Sequence, residues 1–198
     1  MNEELKNELI SLADKDQSLL QSVKEAGELQ DEEYHPKIKQ LHERNTERAR
    51  QIIEKYGWPT ISTVGEEGSD AMWLIVQHSV LAPEFMLSCV PLLENLVKAG
   101  EAKGWQLAFL QDRALMQQEK PQIYGTQHVL DENGNLKPYT LAEPELVDEK
   151  RISLGLESLE ERTRLLQADR NKVLKSRENR KSKIANKSNS ADAKKRRG

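Results

Sequence analysis

The chain of 198 residues contains one cysteine, 5% aromatic residues and no long apolar run. A bilayer-spanning helix needs about 20 consecutive apolar residues, so no transmembrane segment is expected. A single cysteine, Cys89, excludes an internal disulfide. Set between Leu87 and Val90, it reads as a small buried hydrophobe. Several catalytic signatures are also missing. There is no Gly-x-Ser-x-Gly elbow, and the glycines near Gly65 and Gly68 lack the lysine and spacing of a phosphate-cradling loop. His35, His42, His78 and His128 are scattered, with no His-x-x-x-His pair and no Cys-x-x-Cys. These gaps speak against a covalent serine or cysteine mechanism, against a nucleotide-binding P-loop and against a metal site, and no cofactor is called for. The N-terminus, Met1-Asn2-Glu3-Glu4, is acidic and has no apolar secretory core. Together with the cysteine count this predicts a cytoplasmic protein.

Charge is what the sequence has in abundance. Asp, Glu, Lys and Arg make up 32% against 36% for the hydrophobic set. That ratio fits one modest core carrying solvated helices. The net charge of −3 hides an asymmetry. From Lys172 to the end there are 11 Lys/Arg against Glu178 and Asp192, so the tail carries about +9 and the rest about −12. A basic end of this kind can meet nucleic acid, meet its own acidic body or stay disordered and solvated. It has no Phe, Tyr or Trp to stack on bases.

Periodicity and breakers divide the remainder. Residues 3–27 read as a helix with a narrow apolar stripe, suited to packing on the body or on another chain, and are taken as an N-terminal extension over 1–33 ending in a polar break at Asp31-Glu32-Glu33. Residues 34–157 form the expected core domain. Pro36 opens a second helix to about Tyr56, with Asn45 on its apolar stripe and His42 at the stripe's edge. Gly57-Trp58-Pro59 stops it, and Thr60 to Gly68 reads as a loop. Ser69 or Asp70 caps a central helix through Trp73 and Gln77-His78. Helices from Pro83 to about Gly100 and over 103–117 follow. Gln122 to Leu130 and Leu136 to Leu141 read as two strands around Asn133-Gly134, a strong hairpin signal. A short helix from Pro144 precedes Ser158 and Glu161, which have capping-box spacing. The C-terminal helix and basic, partly disordered tail occupy 158–198. The expected fold class is mainly α, or α+β, with one β-hairpin.

Polar residues set where core residues would ordinarily sit mark the candidate site. His78 is the natural general acid or base, since imidazole titrates closest to neutrality. Asp112 shares a helix face with Trp105, Ala108 and Phe109, so its carboxylate needs a partner; His78 is one choice. Arg113 can grip an anion with a planar fork, and Tyr124 completes the candidate catalytic set. Trp58, Gln77, Gln122, Thr126, Gln127 and Asn45 are candidate ligand-binding residues.

Each of these residues also has a plain structural reading, as a satisfied core histidine, an ion pair or a bulged strand. Their joint appearance, if they converge, favours a shared cavity. Two functions stay open. One is a hydrolase acting on a phosphodiester or nucleotide-like substrate by histidine acid–base chemistry and direct attack of water. The other is a non-catalytic module that binds a small molecule or a protein; nucleic acid would enter only through the tail, and no membrane partner is expected.

In order along the chain, Gly57-Trp58-Pro59-Thr60, Val64-Gly65, Gln77-His78, Asp112-Arg113, Gln122, Tyr124-Gly125-Thr126-Gln127 and Arg151…Gly155-Leu156 resemble a bacterial family, a domain of unknown function. The resemblance covers about residues 40–160, leaves out the first helix and the tail, and implies no activity.

Overall fold

The structure is a computed structural model that describes residues 1–28 and 34–176. The expected polar break at Asp31-Glu32-Glu33 and the basic tail beyond Glu178 lie outside the described residues. Helix α1 spans Glu3–Ala26, α2 Pro36–Tyr56, α3 Ile61–Gln77, α4 Pro83–Lys98 and α5 Gly104–Gln117. The antiparallel hairpin pairs β1, His128–Leu130, with β2, Leu136–Pro138, and Val129 sits opposite Lys137. A 3₁₀ turn at Pro144–Leu146 leads into α6, Val147–Ser153, and α7 occupies residues 159–176. Among the described residues the protein is thus mainly helical with a single two-stranded hairpin, as its periodicity predicts. Among the described residues no helix is long and apolar enough to cross a membrane.

Helix α1 is more than an appendage. The Asn2 side chain caps it by accepting from the Leu5 amide at 3.1 Å, and the Asn2 amide donates to the Thr63 carbonyl at 2.7 Å. Leu5, Leu9 and Ala13 are buried in the same cluster as Val64, Met72, Ile75 and Val76 of α3. Helices α1 and α3 therefore share one apolar cluster. Burial of a leucine contributes about 1.5–3 kcal/mol, so α1 is held chiefly by this apolar seam. Helix α2 closes against both neighbours through Ala49 and Ile52, while α4 packs on α5 through Phe85, Cys89, Leu93, Leu107 and Leu110.

Two expectations are corrected. The stretch Thr60 to Gly68 is helical rather than a loop. Thr60 and Thr63 form a reciprocal capping box, Thr63 donating its amide to the Thr60 hydroxyl at 3.2 Å and Thr60 its amide to the Thr63 hydroxyl at 2.8 Å. The helix therefore begins at Ile61, and the glycine signal marks a break inside it, Gly65 taking φ 72° and ψ 170°. Asp70 consequently caps nothing; it receives Lys103 Nζ at 2.8 Å and Gln106 Nε2 at 2.8 Å, tying α3 to the start of α5. The second correction concerns the strands, which shrink to His128–Leu130 and Leu136–Pro138 with one isolated bridge between Gln122 and Leu141. The intervening amides turn away from a ladder and onto side chains described below.

If α1 is part of the core, Leu9→Ala should cost about 2–5 kcal/mol. In chemical denaturation this reads as a lower midpoint with an unchanged slope. A loss below about 0.5 kcal/mol, ordinary for a surface position, would make α1 the detachable extension that its narrow stripe suggests.

Candidate functional site

Three helices each bring one titratable side chain to a common point. Asp16 continues the buried line Leu9–Ala13 of α1 and is 1% exposed. His42 is buried on α2, one turn before Thr46 on the same inward face. His78 caps the C-terminus of α3, its amide donating to the Leu74 carbonyl at 3.0 Å. The Asp16 carboxylate lies between the two imidazoles, with Oδ1 2.8 Å from His78 Nδ1 and Oδ2 2.8 Å from His42 Nε2. The rings stack, with centroids 4.9 Å apart and planes inclined by 29°. Gln17 Nε2 adds a contact to Asp16 Oδ1 at 3.2 Å, and the Tyr34 hydroxyl meets His42 Nδ1.

The two carboxylate contacts differ in kind. His78 Nδ1 is aligned for hydrogen bonding. The His42 contact is equally short but off axis, so Asp16 Oδ2 and His42 Nε2 are both buried without a hydrogen-bond partner. Burial alone would raise the Asp16 pKa, but the histidines on either side outweigh it and hold the carboxyl well below the usual carboxylate range. Asp16 is therefore an anion with His78 Nδ1–H donating to it. Burial, with the Asp16 charge, pushes the Tyr34 phenol up to about 12. Its proton stays on and is available to His42 Nδ1.

That arrangement leaves His78 Nε2 free. Among the described residues it has no protein partner, and the side chain is 17% exposed. His42 and His78 form one wall of a cleft of about 230 Å³, whose other lining includes Glu43, Glu47, Arg50 and Leu81. The Arg50 guanidinium lies over the Phe85 ring, 4.2 Å from its centroid. Neighbouring hydroxyls brace the floor, the Thr46 hydroxyl lying 2.7 Å from the His42 carbonyl and 2.8 Å from Ser79 Oγ.

Asp112 is not the partner of His78. It is fully buried, and the loop after α5 claims its lone pairs. Oδ1 accepts the amides of Ile123 at 2.8 Å and Tyr124 at 3.0 Å, and Oδ2 accepts that of Thr126 at 2.8 Å. Burial pushes its pKa up, opposed by these same amide donors. Gly125, at φ 67° with Leu159 packed where a side chain would project, lets the backbone make this turn. Gln122 completes the clamp, its Nε2 donating to the carbonyls of Gln127 at 3.0 Å and Tyr139 at 2.9 Å, and its Oε1 accepting the Gln127 amide at 2.9 Å. The Gln127 side chain bonds the Thr126 hydroxyl at 2.9 Å. Arg151, 1% exposed, donates to the Tyr124 carbonyl at 2.7 Å and to the Glu157 carbonyl at 2.6 Å.

The residues singled out in the sequence thus divide. His78 joins Asp16 and His42. Asp112, Tyr124, Thr126, Gln122 and Gln127 gather in the loop clamp, where backbone groups occupy the Asp112 and Gln122 side chains, the Gln127 amide bonds the Thr126 hydroxyl, and Tyr124 takes part through its backbone. Arg113 bridges towards the first group, with one long contact of 3.4 Å to the Gln77 carbonyl, and burial lowers its pKa. Gln77 donates to the Phe109 carbonyl at 3.3 Å, while its Oε1 has no partner; Asn45 Nδ2 and Trp58 Nε1 are also buried and unbonded among the described residues. Sequence reading overlooked Asp16. Its spacing of three from Ala13 and seven from Leu9 was the signal, since it puts a carboxylate on the buried line.

Comparison with known proteins adds membership and no chemistry. A model described as a Family of unknown function (DUF6624) matches residues 3–175, so the match takes in α1, which the motif resemblance over 40–160 left out. No curated protein and no solved structure matches.

The clamp makes a direct statement about Asp112. In Asp112→Asn an amide NH₂ faces backbone N–H groups, and each donor left unsatisfied costs about 1–3 kcal/mol. A melting midpoint lower by roughly 5–10 °C is expected at this chain length. A midpoint within about 1 °C of wild type would return Asp112 to the list of catalytic candidates.

Proposed function

The chain belongs to the Family of unknown function (DUF6624), and from the geometry of its own residues we propose that it is a hydrolase. Its substrate in this reading is a phosphodiester or nucleotide-like molecule, and the working group is His78 rather than a His78–Asp112 pair. One observation carries the reading. His78 has one nitrogen held by a buried carboxylate and the other without a protein partner among the described residues, and the residue lines a cleft. Orientation of an imidazole by a carboxylate fixes which nitrogen bears the proton, leaving the outer nitrogen to accept one.

The proposed step uses water as nucleophile. The water oxygen attacks the phosphorus as its proton passes to His78 Nε2, and the imidazolium then returns a proton to the departing oxygen. Asp16 stabilises the cation between those events. A covalent intermediate has little support. Cys89 is buried, with its thiol pushed up to about 12 by that burial, and the Ser79 hydroxyl donates to the Ile75 carbonyl at 3.1 Å. Arg50, on the cleft wall, is the group placed to meet a single negative charge, whereas Arg113, beside Gln77, is not among the cleft's lining residues. Asp112 and Tyr124 act in this proposal by holding the loop, not by touching substrate. A reducing compartment, the cytoplasm, suits the single buried cysteine.

A second reading has its own observation. Glu43 and Glu47 line the same cleft, and their charges repel a phosphodiester while attracting a cationic group. On that basis the cleft is a non-catalytic site for a small basic molecule or a basic protein segment.

The two separate by kinetics on a panel of phosphodiesters and nucleotides, with bis(p-nitrophenyl) phosphate as the first probe. His78→Gln and Asp16→Asn should each lower kcat by about 100- to 10,000-fold, the usual range for removing an acid–base group. Hydrolysis retained in full by His78→Gln would sink the proposal and leave the binding module.

A further inference from the structure

We propose that Asp16, His42 and His78 form a binding site for one divalent first-row transition-metal ion, Zn²⁺ foremost. The donor set is the first argument. Two imidazole nitrogens and one carboxylate oxygen, each from a different helix, lie within 4.8 Å of one another. Donors about 2.0–2.2 Å from a tetrahedral zinc stand about 3.3–3.6 Å from one another, so an ion is accommodated by side-chain rotations that close the widest gap by about 1 Å and open the 2.8 Å pair. Mixed nitrogen and oxygen donors suit zinc, nickel, cobalt or iron, and do not suit calcium or magnesium, which take oxygen alone.

The second argument is the orphaned pair. Asp16 Oδ2 and His42 Nε2 are buried 2.8 Å apart, yet neither makes a hydrogen bond. Leaving two buried polar atoms unsatisfied is costly. Atoms that lie so close without aiming at each other are disposed towards a shared third centre, and an ion there satisfies both.

The third argument is the outer shell. The Tyr34 hydroxyl lies on His42 Nδ1, the nitrogen that a ligand using Nε2 must anchor, and Gln17 Nε2 lies against Asp16 Oδ1. With Nε2 on the ion the ring proton moves to His42 Nδ1, which then donates to the Tyr34 oxygen, and metal-bound histidines characteristically have their second N–H fixed by such an acceptor. His42 and His78 both border the cleft, which gives an ion and water a way in. The usual sequence spacings fail to announce such a site because each ligand comes from a separate helix.

Ion binding and the acid–base state of His78 exclude one another, because Nδ1 cannot both donate to Asp16 and bind metal. Zn²⁺ is therefore expected to inhibit the proposed hydrolysis; that clause rests on the hydrolase reading, whereas the site itself does not.

The experiment uses the full chain stripped with EDTA. ZnCl₂ is titrated calorimetrically, and CoCl₂ is followed by its visible ligand-field bands. One ion per chain is expected, with affinity reduced about tenfold or more in His42→Gln and in His78→Gln. His128→Ala, remote from the cluster, should bind as wild type does. Circular dichroism checks the fold, and His78→Gln, at a partly exposed helix end, keeps the test decisive if His42→Gln unfolds. No binding by wild type, or equal binding by both variants, overturns the site. Activity assays then separate the two proposals. Zinc bound with hydrolysis unaffected or enhanced keeps the site and removes the acid–base reading. Hydrolysis that depends on His78 in a chain that binds no zinc removes the site and keeps the reading.

Discussion

A carboxylate taken out of water must be compensated where it lies, and Asp16 meets that demand by drawing two histidines from two other helices onto its oxygens. The contact joins α1, α2 and α3 at the end of an otherwise apolar seam. Removing the carboxylate would leave the His78 N–H short of an acceptor and His42 without its charge contact, so the interaction organises packing as well as chemistry. The apolar residues Leu5, Leu9 and Ala13 bring α1 close enough to α3 for Asp16 to reach His78. The site depends on that seam for its position.

A second buried carboxylate, Asp112, solves the same problem in the opposite way. Its neighbours are the backbone amides of Ile123, Tyr124 and Thr126, which have no further chemistry to offer once bonded. The result is a closed clamp that shapes the loop between α5 and the hairpin. Asp16 is compensated by titratable side chains, one of which keeps a free nitrogen at a cleft. Two acids of like burial thus have unlike uses. The identity of the donor, backbone amide or imidazole, decides between structural closure and reactive potential.

Much of the architecture was legible in the chain. Gly27 and Gly57 end α1 and α2 where glycine can take a positive φ, and Pro36 and Pro83 sit in first turns. The Asn133-Gly134 turn stands between the two short strands, with the Asp131 carboxylate accepting the amides of Asn133 at 2.9 Å and Asn135 at 2.8 Å. The misreadings have local causes. Glycines at 65 and 68 suggested a loop, but the Thr60–Thr63 capping box outweighs them and confines the irregularity to Gly65. Apolar and β-favouring residues from Gln122 suggested a long strand, but the amides of Ile123, Tyr124 and Thr126 bond to Asp112 and that of Gln127 to Gln122 instead of a neighbouring strand.

For the site, the residue types were visible and the partnerships were not. Helical periodicity by itself places His42, Asn45, Gln77, His78 and Asp112 on or beside buried faces, because a face repeats every three to four residues along one helix. It also suffices to place Asp16 there. Which face meets which is settled by the angle and depth at which helices pack, and those depend on all the side chains of both. Only the tertiary structure could assign Asp16 to the two histidines and Asp112 to the loop, since each pairing joins segments that no local pattern connects.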